Sequence, residues 1–159
     1  MNILKTPRSF RFFMNLYPPY LFTRTRVTYI SQDFKEVIVK LKKSIMTRNY
    51  VGTTFGGSIY AAGDPFFMLM LIQILGIKEY IVWDQDAKIE FLKPARSTLT
   101  FHFKITEEDL AAIHKELEAS GLSRPIFTLE ITDEDGQVCA RLQKGLYIRK
   151  KSGTAQFPA

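Results

Sequence analysis

The stretch Asn49-Tyr50-Val51-Gly52-Thr53-Thr54-Phe55-Gly56-Gly57-Ser58, continuing as Ile59-Tyr60-Ala61-Ala62-Gly63-Asp64-Pro65, decides how this chain is read. A polar, glycine-bearing loop opens the most apolar helix candidate in the sequence, and one carboxylate lies inside that helix. The apolar run from Pro65 to Ile77 is broken by Gln73 and Gly76 and stays short of the ~20 residues that a bilayer span needs. It therefore reads as a buried helix. Asp64, set among Ala61, Ala62, Phe66, Phe67 and Met68, is expected to be a poorly hydrated carboxylate.

Outward from that helix the pattern changes to strands. Arg26 to Ile30 is followed by Lys35 to Lys42, in which Val37, Val39 and Leu41 alternate with more polar positions, and the two imply a hairpin. Beyond the helix come Tyr80 to Trp83, Ala87-Ile89-Phe91, and then Leu99, Phe101, Phe103 and Ile105, each set alternating with polar neighbours. Thr106 offers a helix cap with Glu107, Glu108 and Asp109 in the first turn. Leu110, Ile113 and Leu117 share one face of that helix, and Gly121 ends it. Phe127, Leu129 and Ile131 precede the acidic turn Asp133-Glu134-Asp135-Gly136, after which Val138, Ala140, Leu142, Leu146 and Ile148 keep one parity. That is a second hairpin.

A helix that is apolar on nearly every side must be enclosed. The expected fold class is α+β, a single curved antiparallel sheet wrapped around one long helix, with an outer face or edges left for subunit pairing. Residues 24–149 would form this domain. Residues 1–23 form an aromatic, basic leader whose helix begins near Pro7 and is stopped by Pro18 and Pro19. Arginines beside phenylalanines suit a membrane surface, but the short segment and its broad apolar stripe favour a helix packed across the domain or a subunit contact, and no membrane contact is expected. Residues 150–159 are polar and aperiodic and are expected to be disordered.

Composition narrows the function. A chain of 159 residues, 46% apolar and 24% charged, suits one globular domain with its own core. Cys139 is the only cysteine, which rules out an intrachain disulfide and a cysteine-rich metal site and points to the cytoplasm. Arg8 and Arg11 interrupt Phe10, Phe12 and Phe13, so a secretory signal is not read here. The net charge of +6 favours an anionic partner. Nucleic acid is not expected, because zinc-finger spacing, a basic helix and an aromatic RNA-binding motif are all missing.

With Asn49, Gly52, Gly56, Gly57 and Asp64 at these spacings, the chain resembles the hotdog-fold acyl-CoA thioesterases of the phenylacetyl-CoA type. Their loop reads Asn-x-x-Gly-x-x-His-Gly-Gly, with an Asp nine residues after the His. The strings Asn-Tyr-Val-Gly-Thr, Phe-Gly-Gly-Ser, Tyr-Ile-Val-Trp-Asp and Phe-Leu-Lys-Pro look most like a bacterial hotdog branch, the domain of unknown function 4442 family. The resemblance covers about residues 15–149. It implies that the Gly56 backbone N–H, at the start of the central helix, stabilises the thioester oxyanion. It implies that Asp64 of a facing subunit acts as general base or nucleophile, and that Asn49 orients the substrate carbonyl or the water. Gly57, lacking Cβ, would let the acyl chain or the neighbouring subunit approach. No metal or redox cofactor is implied; coenzyme A enters as part of the substrate, and the protein would be a homodimer or homotetramer.

Phe55 stands where the family has His, and would line an acyl pocket. Arg48, Lys93 and Arg96 would meet coenzyme A phosphates, or else form a solvated basic rim. Asp64 before Pro65 also fits a helix N-cap followed by proline at the first helical position; if Asp64 is functional, Pro65 instead kinks a helix begun near Gly56. Asp84 and Asp86 are candidates for support near the pocket, and His102 and His114 read as solvated. The competing function is a non-catalytic acyl- or lipid-binding hotdog protein.

Overall fold

In a computed structural model, residues 6–151 are described. The first two helices, α1 (Pro7–Leu16) and α2 (Pro18–Phe22), are separated at Tyr17, which is extended because Pro18 follows it. A hairpin of β1 (Thr25–Ile30) and β2 (Glu36–Leu41) leads to the loop and then to α3 (Gly56–Gly63) and α4 (Phe66–Leu75). The chain continues through β3 (Tyr80–Phe91), β4 (Leu99–Lys104), α5 (Glu107–Ser120), the two-residue β5 (Leu122–Ser123), β6 (Ile126–Thr132) and β7 (Val138–Lys150). Part of the segment expected to be disordered, Lys150, closes β7, and the Lys151 N–H donates to the Glu79 carbonyl. The rest of that segment lies outside the described residues.

The strands form one antiparallel sheet in the order β1-β2-β4-β6-β7-β3, with β5 added to β7. Strand alternation supplies its inner face: Val37, Val39 and Leu41 of β2, Leu99, Phe101 and Phe103 of β4, and Leu129 and Ile131 of β6 are all buried. Ala62, Phe66, Phe67, Met70 and Leu71 of α3 and α4 complete the core from the helix side. Phe67 stacks on Phe127 at 4.7 Å between ring centroids and meets Phe103 edge-on at 5.2 Å. Gly56–Leu75 is long and apolar enough to cross a membrane by length and composition, but it is the core helix. α5 carries the expected capping box between Thr106 and Asp109, and Gly121 ends it in the left-handed conformation.

Pro65 marks the join of α3 and α4. Asp64 and Pro65 both keep helical dihedrals, yet proline cannot donate back into the preceding turn, and the helix breaks into two segments there. The buried Tyr20 hydroxyl donates to the Ala62 carbonyl at 2.6 Å beside this break, tying α2 to the central helix. Burial, and then the nearby charge of Asp64, push the Tyr20 hydroxyl well above the usual tyrosine pKa.

The two ends of the sheet are treated differently. On β1, the Asn15 side chain accepts from the Val27 N–H at 2.8 Å and donates to the Val27 carbonyl at 3.1 Å, while Arg11 donates to the Thr28 carbonyl at 2.9 Å. α1 thereby covers the edge that an extended strand would otherwise find. The other edge is the twelve-residue β3, which among the described residues is paired on one side only, by β7.

Candidate active site

The loop from Asn49 to Phe55 is built by its own backbone. Asn49 Oδ1 accepts from the Thr53 N–H at 3.0 Å and Asn49 Nδ2 donates to Thr53 Oγ1 at 2.9 Å, closing a turn through Gly52, whose φ of +83° suits glycine. Asn49 thus braces the loop. Phe55 and Thr54 are then anchored by hydrogen bonds to the Thr47 and Ala95 carbonyls. Phe55 is the N-cap residue of α3 with extended dihedrals and makes no side-chain cap. Among the described residues no acceptor faces the Gly56 or Gly57 N–H. The positive end of α3 is therefore left for an outside group.

It opens on a groove of about 690 Å³ lined by Asn49, Val51, Thr54, Phe55, Gly56 and Ile59 on one side and Phe91, Leu92, Lys93 and Arg96 on the other. Five of the eight expected site residues, Asn49, Phe55, Gly56, Lys93 and Arg96, meet here. Arg48 is exposed on the outer side of the loop, paired through its backbone with Thr54. Lys93 Nζ donates to the neutral Gln137 side chain, and neither Lys93 nor Arg96, both exposed in the groove, has an ion-pair partner among the described residues. The ring of Phe91 lies over Gly56, its Cζ 2.8 Å from where a Cβ would stand. Phe91 was missed in the sequence, where it read as one more position of a half-buried strand.

Gly57 has a neighbour within its own chain. A Cβ there would stand 2.4 Å from Phe55 Cε1, so the glycine makes room for the Phe55 ring, folded back over the helix start. Phe55 remains 57% exposed at the groove mouth.

Asp64 departs from two expectations. It is no N-cap: its dihedrals are helical and α4 receives no side-chain cap. Nor is it an isolated carboxylate in apolar surroundings, because its Oδ1 accepts from Lys144 Nζ at 2.8 Å and its side chain is 42% exposed. The apolar residues Ala62, Phe66 and Phe67 point inward, away from it. Lys144, 1% exposed on β7, also stands 3.2 Å from Asp84 Oδ1 and 5.8 Å from the centre of the Tyr60 ring. Burial pulls the Lys144 ammonium down, but the hydrogen bond to Asp64 and the charges of Asp84 and Asp64 outweigh it and hold its pKa above the usual lysine range. Burial lifts the Asp84 carboxyl against the pull of Lys144, and it lifts Tyr60, with Asp64 adding to the rise. A bulge between Asp84 and Asp86 sets Asp86 over Gly145, whose missing Cβ leaves room for its carboxylate. Lys144 was also missed, although it keeps the parity of Val138, Ala140, Leu142, Leu146 and Ile148.

Gly56 and Asp64 do not meet within one chain. Eight residues and a little over two helical turns apart, they are separated by roughly 12 Å along the axis at 1.5 Å per residue. The histidines are elsewhere: His102 pairs with Glu36 at 2.5 Å on the outer sheet face, and His114 is exposed on α5.

The chain belongs to the family described as domain of unknown function DUF4442, whose profile matches residues 7–148. None of the curated proteins compared matches it. Among solved structures it is similar to PA5026 of Pseudomonas aeruginosa, described as a protein of unknown function and probable thioesterase. That match has 14% identity, covers 92% of this chain and 99% of that one, and gives a TM-score of 0.82. A protein of unknown function from Chlorobaculum tepidum, OLEI01261, matches with 17% identity over 94% and 100% of the two chains at a TM-score of 0.72. The thioesterase HI1161 of Haemophilus influenzae matches with 14% identity over 91% of each chain at a TM-score of 0.68. At these identities the likeness concerns the fold, and the fold is the hotdog.

Proposed function

We propose that the chain is a cytoplasmic acyl-CoA thioesterase, assembled at least as a dimer, that hydrolyses a thioester to the free acid and coenzyme A. The observation that carries this reading is the start of α3, where two N–H groups without acceptors open on a groove floored by aromatic rings and bordered by Arg96. Such a helix start stabilises negative charge developing on a carbonyl oxygen. In this mechanism water adds to the thioester carbonyl while Asp64 of the facing subunit takes its proton, and the oxyanion rests on the Gly56 N–H. The oxyanion then collapses, expelling the coenzyme A thiolate, which recovers the proton. In the alternative route the Asp64 carboxylate itself attacks, and water cleaves the resulting anhydride. Asn49 holds the loop that presents Gly56, with a remaining Nδ2 hydrogen available to substrate. Arg96 and Lys93, at the groove, meet the coenzyme A phosphates, with Arg48 on the far side of the loop adding only longer-range positive charge.

The dimer follows from the roughly 12 Å between Gly56 and Asp64 in one chain, since a single thioester carbonyl cannot touch both. The open β3 edge, the exposed Trp83 on it, and the half-exposed Tyr60, Met68, Leu69 and Ile72 of the central helix form the surface for a second copy. Release of thiol from a panel of acyl-CoAs by the pure protein tests the activity; tight binding with no turnover across the panel would favour the non-catalytic acyl-binding reading. In that assay Phe55→Ala should raise KM for the preferred acyl chain by about tenfold with a smaller change in kcat, because an apolar contact is lost and not a reacting group. An unchanged KM for every substrate would reduce Phe55 to loop packing against Gly57.

A further inference from the structure

α1 turns only part of its apolar surface to the protein: Phe10 is buried and Met14 packs against the core, while Asn15 and Arg11 bond the β1 edge. Phe12 at 61%, Leu16 at 53% and Phe22 of α2 at 65% exposure face out, with Phe13, Tyr17 and Leu21 beside them. An exposed apolar surface of this kind, left over after Phe10 and Met14 are packed, marks a binding face.

The charge around it selects the occupant. From residue 6 to residue 32 the chain carries Arg8, Arg11, Arg24 and Arg26 and no acidic residue. Directly after α2, Arg26 lies opposite Lys40 in the β1–β2 register, and the Lys42 N–H bonds to the Arg24 carbonyl. Like charges opposite one another on a sheet cost stability. None of Arg8, Arg24, Arg26, Lys40 or Lys42 takes part in an ion pair among the described residues. A second copy docked here by two-fold symmetry would set this basic strip against itself. An anionic lipid surface instead receives the aromatic side chains at its acyl boundary and the arginines at its headgroups.

We infer that α1, α2 and the adjoining strip of Arg24, Arg26, Lys40 and Lys42 form a docking face for anionic membrane surfaces. Co-flotation with phosphatidylcholine vesicles, with and without phosphatidylserine, tests this on the full chain, alongside sedimentation of the free protein. Binding should require phosphatidylserine and weaken with salt. Arg24→Glu/Arg26→Glu should reduce it roughly tenfold or more, and Phe12→Ser/Leu16→Ser/Phe22→Ser should abolish it, both variants keeping the wild-type melting temperature, oligomer size and turnover of soluble substrate. No binding, or equal binding to neutral vesicles, overturns the proposal. So does a drop in oligomer size in the Phe12→Ser/Leu16→Ser/Phe22→Ser variant, which would give the face to a second copy. Loss of thioesterase activity elsewhere in the molecule leaves this test unaffected.

Discussion

Asp64→Asn should give a folded, assembled protein whose thioester hydrolysis is lower by about 10²–10⁴-fold, the contribution of a positioned general base. Asparagine keeps the size of the side chain and an oxygen that can still accept from Lys144 Nζ, now at 2.8 Å from Asp64 Oδ1. Asp84 remains beside the ammonium, so Lys144 is not left without a counter-charge. What disappears is the group that can take a proton from water or attack the carbonyl. Thiol release and thermal denaturation, measured on the same preparation, separate the two roles. Near-normal turnover in a protein of unchanged stability would remove Asp64 from the reaction and leave it as the partner of Lys144.

Lys144→Met should lower stability by about 2–3 kcal/mol, less than for a fully buried pair, because it strips the cation from two carboxylates of which Asp64 is 42% and Asp84 26% exposed. For a chain of this size that corresponds to a fall in melting temperature on the order of 10 °C. The pH dependence has a definite sign. The folded pKa of Lys144 is raised, so its stabilisation is complete below the ordinary lysine pKa of 10.5 and disappears as pH rises through the folded value. The difference between wild type and Lys144→Met is therefore full at neutral pH. It shrinks in strong alkali, as Lys144 loses its proton, and again in acid, where protonation of Asp84, whose carboxyl is lifted by burial, removes charge that the substitution leaves uncompensated. Adding Asp64→Asn and Asp84→Asn to Lys144→Met should recover much of the loss, since the uncompensated charges go with them. A triple variant as unstable as Lys144→Met would show that the lysine stem's packing, and not its charge, is what the fold needs.

Much of the fold was legible because burial and strand geometry write themselves as periods. The parity of Val37, Val39 and Leu41 and of Phe101 and Phe103 became the inner sheet face, and Thr106 with Asp109 became a capping box. The helix start at Gly56, which the family resemblance implied, is where α3 begins. Periodicity says which face a residue takes and nothing about what stands across from it. That is why Lys144, in an otherwise apolar row of β7, passed unnoticed as the counter-ion of Asp64, 80 positions away in sequence. The same blindness hid the approach of Phe91 to Gly56 and of Phe55 to Gly57, since a glycine records that space is needed without recording for whom. The N-cap reading of Asp64 failed on a local ambiguity: Asp-Pro is compatible with a helix start and with a break in a running helix, and the earlier start at Gly56 decides for the second.

A site shared between Gly56 of one chain and Asp64 of its partner has a consequence that no single-chain site can reproduce. Gly56→Pro removes the N–H while leaving a residue suited to the first helical position, and Phe55 before it is already extended at φ −63° and ψ 129°, as a residue preceding proline must be. The exposed Phe91 ring can swing from the added ring atoms. Gly56→Pro and Asp64→Asn should each be nearly inactive alone. Mixed in equal amounts and allowed to exchange subunits, they should recover about a quarter of wild-type thioester hydrolysis, because half of the dimers are then hybrids with one intact site of two. Two variants that exchange subunits, as sedimentation of a tagged chain would show, yet stay inactive together would contradict the shared site.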